Sequence, residues 1–158
     1  MNYASIIKED FANGEGVRVS LFVSGCTHQC KNCFNKDLWN FGYGKPFTVE
    51  VENKILEALN KPYIKGLSLL GGDPLMPQNR QAVLQLIERV RKELPKKDIW
   101  LWTGYTVEEL SDCKEILDKI DVLVDGKFIE ELADRKLKWR GSSNQRILRK
   151  GDRKIGTS

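Results

Sequence analysis

The chain has 158 residues, 41% of them hydrophobic and 30% charged, a length and balance that suit one folded domain and argue against disorder. No apolar stretch approaches the roughly 20 residues of a membrane span, and the first residues lack a basic region followed by an apolar one, so neither a span nor a secretory leader is expected. Four cysteines in a chain without a leader suit a reducing cytoplasm and metal binding better than disulfides.

Strand and helix patterns alternate along the chain. Residues 18–23 are β-branched and apolar and end at Ser24 and Gly25. Thr48 is placed to cap a helix whose first turn carries Glu50 and Glu52 and whose Val51, Ile55, Leu56 and Leu59 share one face. A second apolar strand over 64–70 closes on Gly71-Gly72-Asp73-Pro74. Residues 78–94 then repeat apolar positions at helical spacing until Pro95 stops them. A third strand is expected over 99–103, a capping box at Thr106 and Glu109, a weaker helix over 113–120 and a fourth strand over 122–124.

Such units imply parallel strands with right-handed crossovers, and their near-continuous apolar runs imply strands buried on both faces. Four or five units are too few for a closed eight-stranded barrel. The expected fold is therefore α/β, a partial (βα) barrel or open, mostly parallel sheet over residues 1–158, with its site at the carboxyl ends of the strands. From about residue 134 the chain turns basic: residues 134–154 hold nine Lys or Arg against two Asp, a net +7 that leaves −3 elsewhere. This segment reads either as a solvated terminus or as a face for an acidic partner.

Two stretches carry chemistry. Cys26, Cys30 and Cys33 stand as Cys-x3-Cys-x2-Cys directly after the first strand, without a fourth cysteine at a matching interval. Three thiolates on a short loop suit an iron–sulfur cluster with one iron left open for a small molecule. The alternative is zinc, with His28 or Cys113 as fourth ligand. His28 reads otherwise as a loop residue bonding its own backbone, and Cys113 as a small buried residue or a free thiol. In the second stretch, Gly71 and Gly72 bare the backbone at a strand end so that a ligand can approach, with Asp73 beside them to receive an ammonium group; the alternative is a Gly-Asp-Pro turn that merely starts a helix.

The pairing of these motifs resembles the radical S-adenosylmethionine enzymes. "NGEGVRVSLFVSGCTHQCKNCFNKDLWN", "GGDPLMPQN", "DIWLWTGYTVEEL", "VLVDGKF" and "WRGSSNQRI" are similar to one branch, the activating proteins of the anaerobic (class III) ribonucleoside-triphosphate reductase. The likeness covers nearly the whole chain. In the wider superfamily the residue before the third cysteine is often aromatic, where this chain has Asn32 with Phe34 after Cys33, and the acid of the glycine motif is often Glu, where this chain has Asp73.

The resemblance implies a 4Fe-4S cluster on Cys26, Cys30 and Cys33, its open iron taking the amino and carboxylate groups of S-adenosyl-L-methionine. It implies Asn32, Cys33 and Phe34 on the adenine side and Gly71, Gly72 and Asp73 at the methionine end. One electron then cleaves the sulfonium and leaves a 5′-deoxyadenosyl radical, which requires a potential toward the low end of the roughly −700 to +450 mV range. The radical takes hydrogen from a glycine of the reductase's glycyl radical subunit. The implied electron donor is a low-potential one such as reduced flavodoxin; neither a membrane nor nucleic acid is an implied partner. The basic segment, with Trp139, would face the reductase or line a shared site. A radical enzyme acting on a small molecule, or a binding or electron-transfer module, are the alternatives.

Overall fold

The apolar runs form the centre of one seven-stranded sheet in the computed structural model, which describes residues 1–33 and 36–152. The strands are β1 (Asn2–Asp10), β2 (Val17–Val23), β3 (Lys45–Pro46), β4 (Ile64–Gly71), β5 (Asp98–Trp102), β6 (Val122–Asp125) and β7 (Arg146–Arg149). Their order is β3-β1-β2-β4-β5-β6-β7. The central strands β2, β4, β5 and β6 are parallel, as the alternation of units predicts, and β1, β3 and β7 flank them antiparallel. This mixed sheet is consistent with a partial barrel.

Three helices fill the crossovers. Helix α1 (Val49–Leu59) begins where expected, the Thr48 hydroxyl accepting from the Val51 N–H. Helix α2 (Pro77–Glu93) opens on a proline, whose missing N–H would have no partner in the first turn. Between 111 and 117 the expected helix is only a 3₁₀ turn and the four-residue α3 (Lys114–Leu117). The capping pair opens a three-residue turn, Val107–Glu109, with the Thr106 N–H donating to the Glu109 carboxylate at 2.9 Å. Among the described residues no helix is long and apolar enough to cross a membrane.

The two faces of the sheet are built differently. Val19, Leu21, Leu67, Leu69, Ile99, Leu101 and Leu123 alternate onto one face and pack with the apolar stripes of the helices. The other face is also buried, as the apolar runs imply, but polar and aromatic side chains fill it instead of helices. Arg18 is wholly buried there, donating to the Ser68 hydroxyl at 2.7 Å, the Leu67 carbonyl at 2.9 Å and the Asp98 carboxylate at 2.6 Å. Its guanidinium lies 5.4 Å from the centre of the Trp100 ring, whose neighbours are Trp102 and Trp139.

The basic segment covers this second face with residues 139–149, for which the reading of a solvated terminus is corrected; residues 134–136 and 150–152 are exposed. β7 pairs with β6; Arg146 bridges the buried Asp125 at 2.5 Å and Glu108 at 2.8 Å; Arg149 pairs with Glu15 and lies over Trp100. The motif "RGSSNQR" ties the intervening strap down. The Gln145 side chain accepts from the Gly141 and Ser142 N–H groups and donates to the Gly126 carbonyl, while the Trp139 carbonyl accepts from the Trp102 indole. Arg153 and Lys154 lie outside the described residues. Positive charge concealed β7 and the strap from a hydropathy reading: Arg146 and Arg149 pair with carboxylates from distant parts of the chain.

This pairing sets an expectation for stability. Arg146→Ala leaves Asp125 with only the Val107 N–H and the rest of its local cover, and should destabilise the fold by about 2 kcal/mol, below the value for a fully buried pair because Arg146 is partly exposed. Lys150→Ala, at an exposed position, should change it by less than about 0.5 kcal/mol. Urea unfolding midpoints measure both; equal effects would mean that the strap is held by its backbone alone.

Candidate functional site

The carboxyl ends of β2, β4, β5 and β6 surround a cavity of about 390 Å³, which is where parallel strands place a site. Cys26, Cys30 and Cys33 line it from the loop after β2, Gly71 from the end of β4 and Gly72 just after it, and Trp139 and Arg140 from the strap. The two motifs separated by about forty positions in sequence therefore share one wall-to-wall space.

The cysteine loop is held at its start by backbone bonds, Gly25 N–H to the Leu38 carbonyl at 2.7 Å and Cys26 N–H to the Trp39 carbonyl at 3.2 Å. It turns through Gln29 and Asn32, both left-handed with φ of 53° and 55°. Asn tolerates that region; Gln does so at a cost of about 1 kcal/mol or more. None of the three cysteines is in a disulfide, and all three are half-buried. Burial pushes the Cys26 thiol up to about 11, with Asp73 and the neighbouring thiols adding to the effect, and burial likewise raises Cys30. Cys113 is also raised to about 11 by burial, but it sits in the apolar core under the helices, as the small buried residue that one sequence reading expected.

Three soft donors on one cavity wall fit a polynuclear iron–sulfur cluster. Among the described residues no group of three or more His, Cys, Asp or Glu is arranged around a single metal ion. His28, the candidate fourth ligand for zinc, is turned to Asp73, its Nε2 lying 2.6 Å from Oδ2.

The glycine motif departs from its expected role in two ways. A Cβ on Gly72 would lie 2.6 Å from the Gly25 carbonyl oxygen and 2.8 Å from that of Leu38, so the bare backbone serves close packing against the root of the cysteine loop. The left-handed residue is Gly71, at φ of 118°, not Gly72. Asp73 does not face the cavity to receive an ammonium group. Its side chain is wholly buried, and its carboxylate accepts from the Leu75 N–H at 2.8 Å, the Gly104 N–H at 2.9 Å, the Thr103 hydroxyl and His28. Four donors leave it no free lone pair of use to a ligand. Asn32 is placed at the loop's outer turn, its amide donating to the Glu130 carboxylate; Phe34 lies outside the described residues.

The chain matches the 4Fe-4S single cluster domain family over residues 12–148. It is 56% identical over 152 residues to the anaerobic ribonucleoside-triphosphate reductase-activating protein of Vibrio cholerae, covering 94% of this chain and 98% of the relative. The chain belongs to this family of activating proteins. The Escherichia coli K12 member is 51% identical over 148 residues, covering 92% and 96%, and the enterobacteria phage T4 member 48% over 147 residues, covering 93% of each. Pattern reading missed Thr103, Gly104 and the pairing of His28, and left the strap open between a solvated tail, a docking face and a wall of the site, where Trp139 and Arg140 stand. Strap residues looked like a charged tail, and His28 had no partner nearby in sequence.

Two outcomes are expected at this site. Gly72→Val should lower the stability of the cluster-free protein by about 3 kcal/mol or more, because backbone must move to admit the side chain. A thermal melt of the apo protein reads this, and an unshifted melt would return Gly72 to the ligand. The second concerns pH. A thiol held near 11 is protonated at neutral pH and must release its proton to bind iron, so the thiolate fraction grows about tenfold per unit of pH below that value. Cluster assembly should therefore accelerate from about pH 7 to about pH 9 and release protons. The iron–sulfur chromophore followed across pH checks the sign; a pH-independent rate would contradict it.

Proposed function

We propose that this chain is a single radical S-adenosylmethionine domain that cleaves S-adenosyl-L-methionine reductively and generates a glycyl radical on the anaerobic ribonucleoside-triphosphate reductase. The observation that carries this reading is the meeting of three half-buried thiols and the Gly71–Gly72 strand end on one cavity. It occurs in a chain matched over nearly its whole length by proteins named for activating that reductase.

On this reading Cys26, Cys30 and Cys33 hold a 4Fe-4S cluster, Gly71 and Gly72 border the methionine end, and Asn32, Cys33 and Phe34 border the adenine. When bound, the cluster supplies the single electron that splits the sulfonium into methionine and a deoxyadenosyl radical, which takes hydrogen from the partner's glycine. The chain's own part is to position and to exclude water. Trp102 and Trp139 cover the cavity on the strap side, joined by the indole N–H to carbonyl bond at 2.7 Å. Asp73 takes the role of holding the surrounding loops. The electron comes from a low-potential donor such as reduced flavodoxin, in the cytoplasm, where thiols stay reduced.

The test uses anaerobically prepared protein. Cys26→Ala, Cys30→Ala and Cys33→Ala should each abolish stable iron and sulfide binding and the EPR signal of the dithionite-reduced protein, while Cys113→Ala keeps both. Wild type should cleave S-adenosyl-L-methionine under dithionite and give a glycyl-radical EPR doublet once the reductase is added. Cleavage without that doublet would move the reading to a small-molecule substrate; loss of the cluster in the Cys113 variant would overturn the three-ligand site.

A further inference from the structure

Midway between the first two cysteines, a buried side chain that is neither a thiol nor a backbone group ties the loop to the rest of the fold. His28 lies two residues from both Cys26 and Cys30, and its side chain is only 7% exposed. A carboxylate oxygen accepts, so the imidazole carries its proton on Nε2 and donates to Asp73 Oδ2 across 2.6 Å. The ring has a seat made for it. Tyr105 meets it edge to face at 4.6 Å between ring centres. On the other side a Cβ at residue 104 would lie 2.4 Å from the ring's Cδ2 and 2.7 Å from Nε2, so the imidazole packs directly on the Gly104 backbone.

The same carboxylate holds Gly104 N–H, the Thr103 hydroxyl and Leu75 N–H. One buried group thus gathers the loops after β2, β4 and β5. A second short side-chain tie of the loop, Asn32 to Glu130, joins an exposed residue to a half-buried one at the surface, where water competes for the bond. The bond that can resist water is that of His28.

We propose that His28 is a positioning residue, latching the cysteine loop onto the glycine motif so that Cys26 and Cys30 stand ready for the cluster before it arrives. This rests on the cluster site proposed above. The latch acts on the thiols through the loop backbone, and His28 itself touches neither iron nor substrate. A partner that orients a metal-holding side chain typically changes metal retention by about 10- to 100-fold when it is removed.

Full-length wild type, His28→Gln and His28→Phe, reconstituted anaerobically, separate the possibilities. Gln places an amide N–H at the reach of Nε2; Phe keeps a ring on the Gly104 seat without a donor. Iron loss to a chelator should be at least about tenfold faster in the Phe variant and near wild type in the Gln variant, while the apo Phe variant melts somewhat lower because the buried Asp73 loses a donor. Gly104→Ala, which pushes the ring off its seat from the other side, should copy the Phe variant. The EPR line shape of the reduced cluster should change in the Phe and Ala variants and not in Gln. Wild-type retention in the Phe variant overturns the latch, as does failure of Gln to rescue retention, or an unchanged EPR line shape in the Phe variant. If wild type itself takes up no cluster, it is the site reading that fails, and that result is distinct from all of these.

Discussion

A single buried carboxylate holds the functional end of this molecule together. Asp73 is wholly excluded from solvent, and taking a charged carboxylate out of water is costly unless hydrogen bonds replace its hydration. Here the backbone of its own loop, the end of β5 and the cysteine loop supply those bonds. The adjoining backbone is drawn in by the same logic: Asp73 N–H donates to the Gly25 carbonyl, and the buried Asn79 of α2 donates to the carbonyls of both Ser24 and Asp73. Strand ends, helix start and cysteine loop are therefore one hydrogen-bonded unit.

The remaining side of the cavity is closed by an unusual use of positive charge. A sheet with helices on one face leaves its other face bare, and in a longer barrel the strands would curl to cover it. Here the strap over residues 139–145 and β7 do so, anchored by guanidinium groups. Arg18 takes the same part inside, its donors spread over a hydroxyl, two carbonyls and a carboxylate beneath Trp100. Arg suits such places better than Lys because a planar fork can satisfy several acceptors and stack on an indole at once. This is how the strap, continued by β7, walls the cavity on the face that carries no helices.

The cysteine loop itself is built against its own relaxation. It carries two left-handed residues other than glycine, and a Cys26 thiol that burial pushes up to about 11, with Cys30 raised in the same direction. Both terms favour a different arrangement of an isolated loop. The fold holds it in place from outside, by the turn at Lys36–Trp39 beneath its start and by Asp73 beneath its middle. Binding metal then recovers, in iron–thiolate bonds, what deprotonation and loop geometry oppose.

Sequence alone determined the centre of this protein. Apolar runs at 18–23, 64–70, 99–103 and 122–124 are the parallel strands to within a residue or two, because strands buried on both faces must be apolar throughout. The helix after the glycine motif and the Thr48 cap were equally legible, since helical periodicity and capping are local. So was the three-cysteine loop, whose chemistry resides in spacing. What tertiary structure decided is where each charged or small group finds its partner. Arg146 and Arg149 read as a solvated tail or a docking face until Asp125 and Glu15 stand beside them. Gly72 read as an opening for a ligand until the Gly25 and Leu38 carbonyls fill the space. Asp73 and His28 read as a ligand contact and a loop residue until folding sets them against each other, forty-five positions apart. Periodicity reports which face a residue occupies; only the folded chain brings together groups whose pairing depends on distance in space.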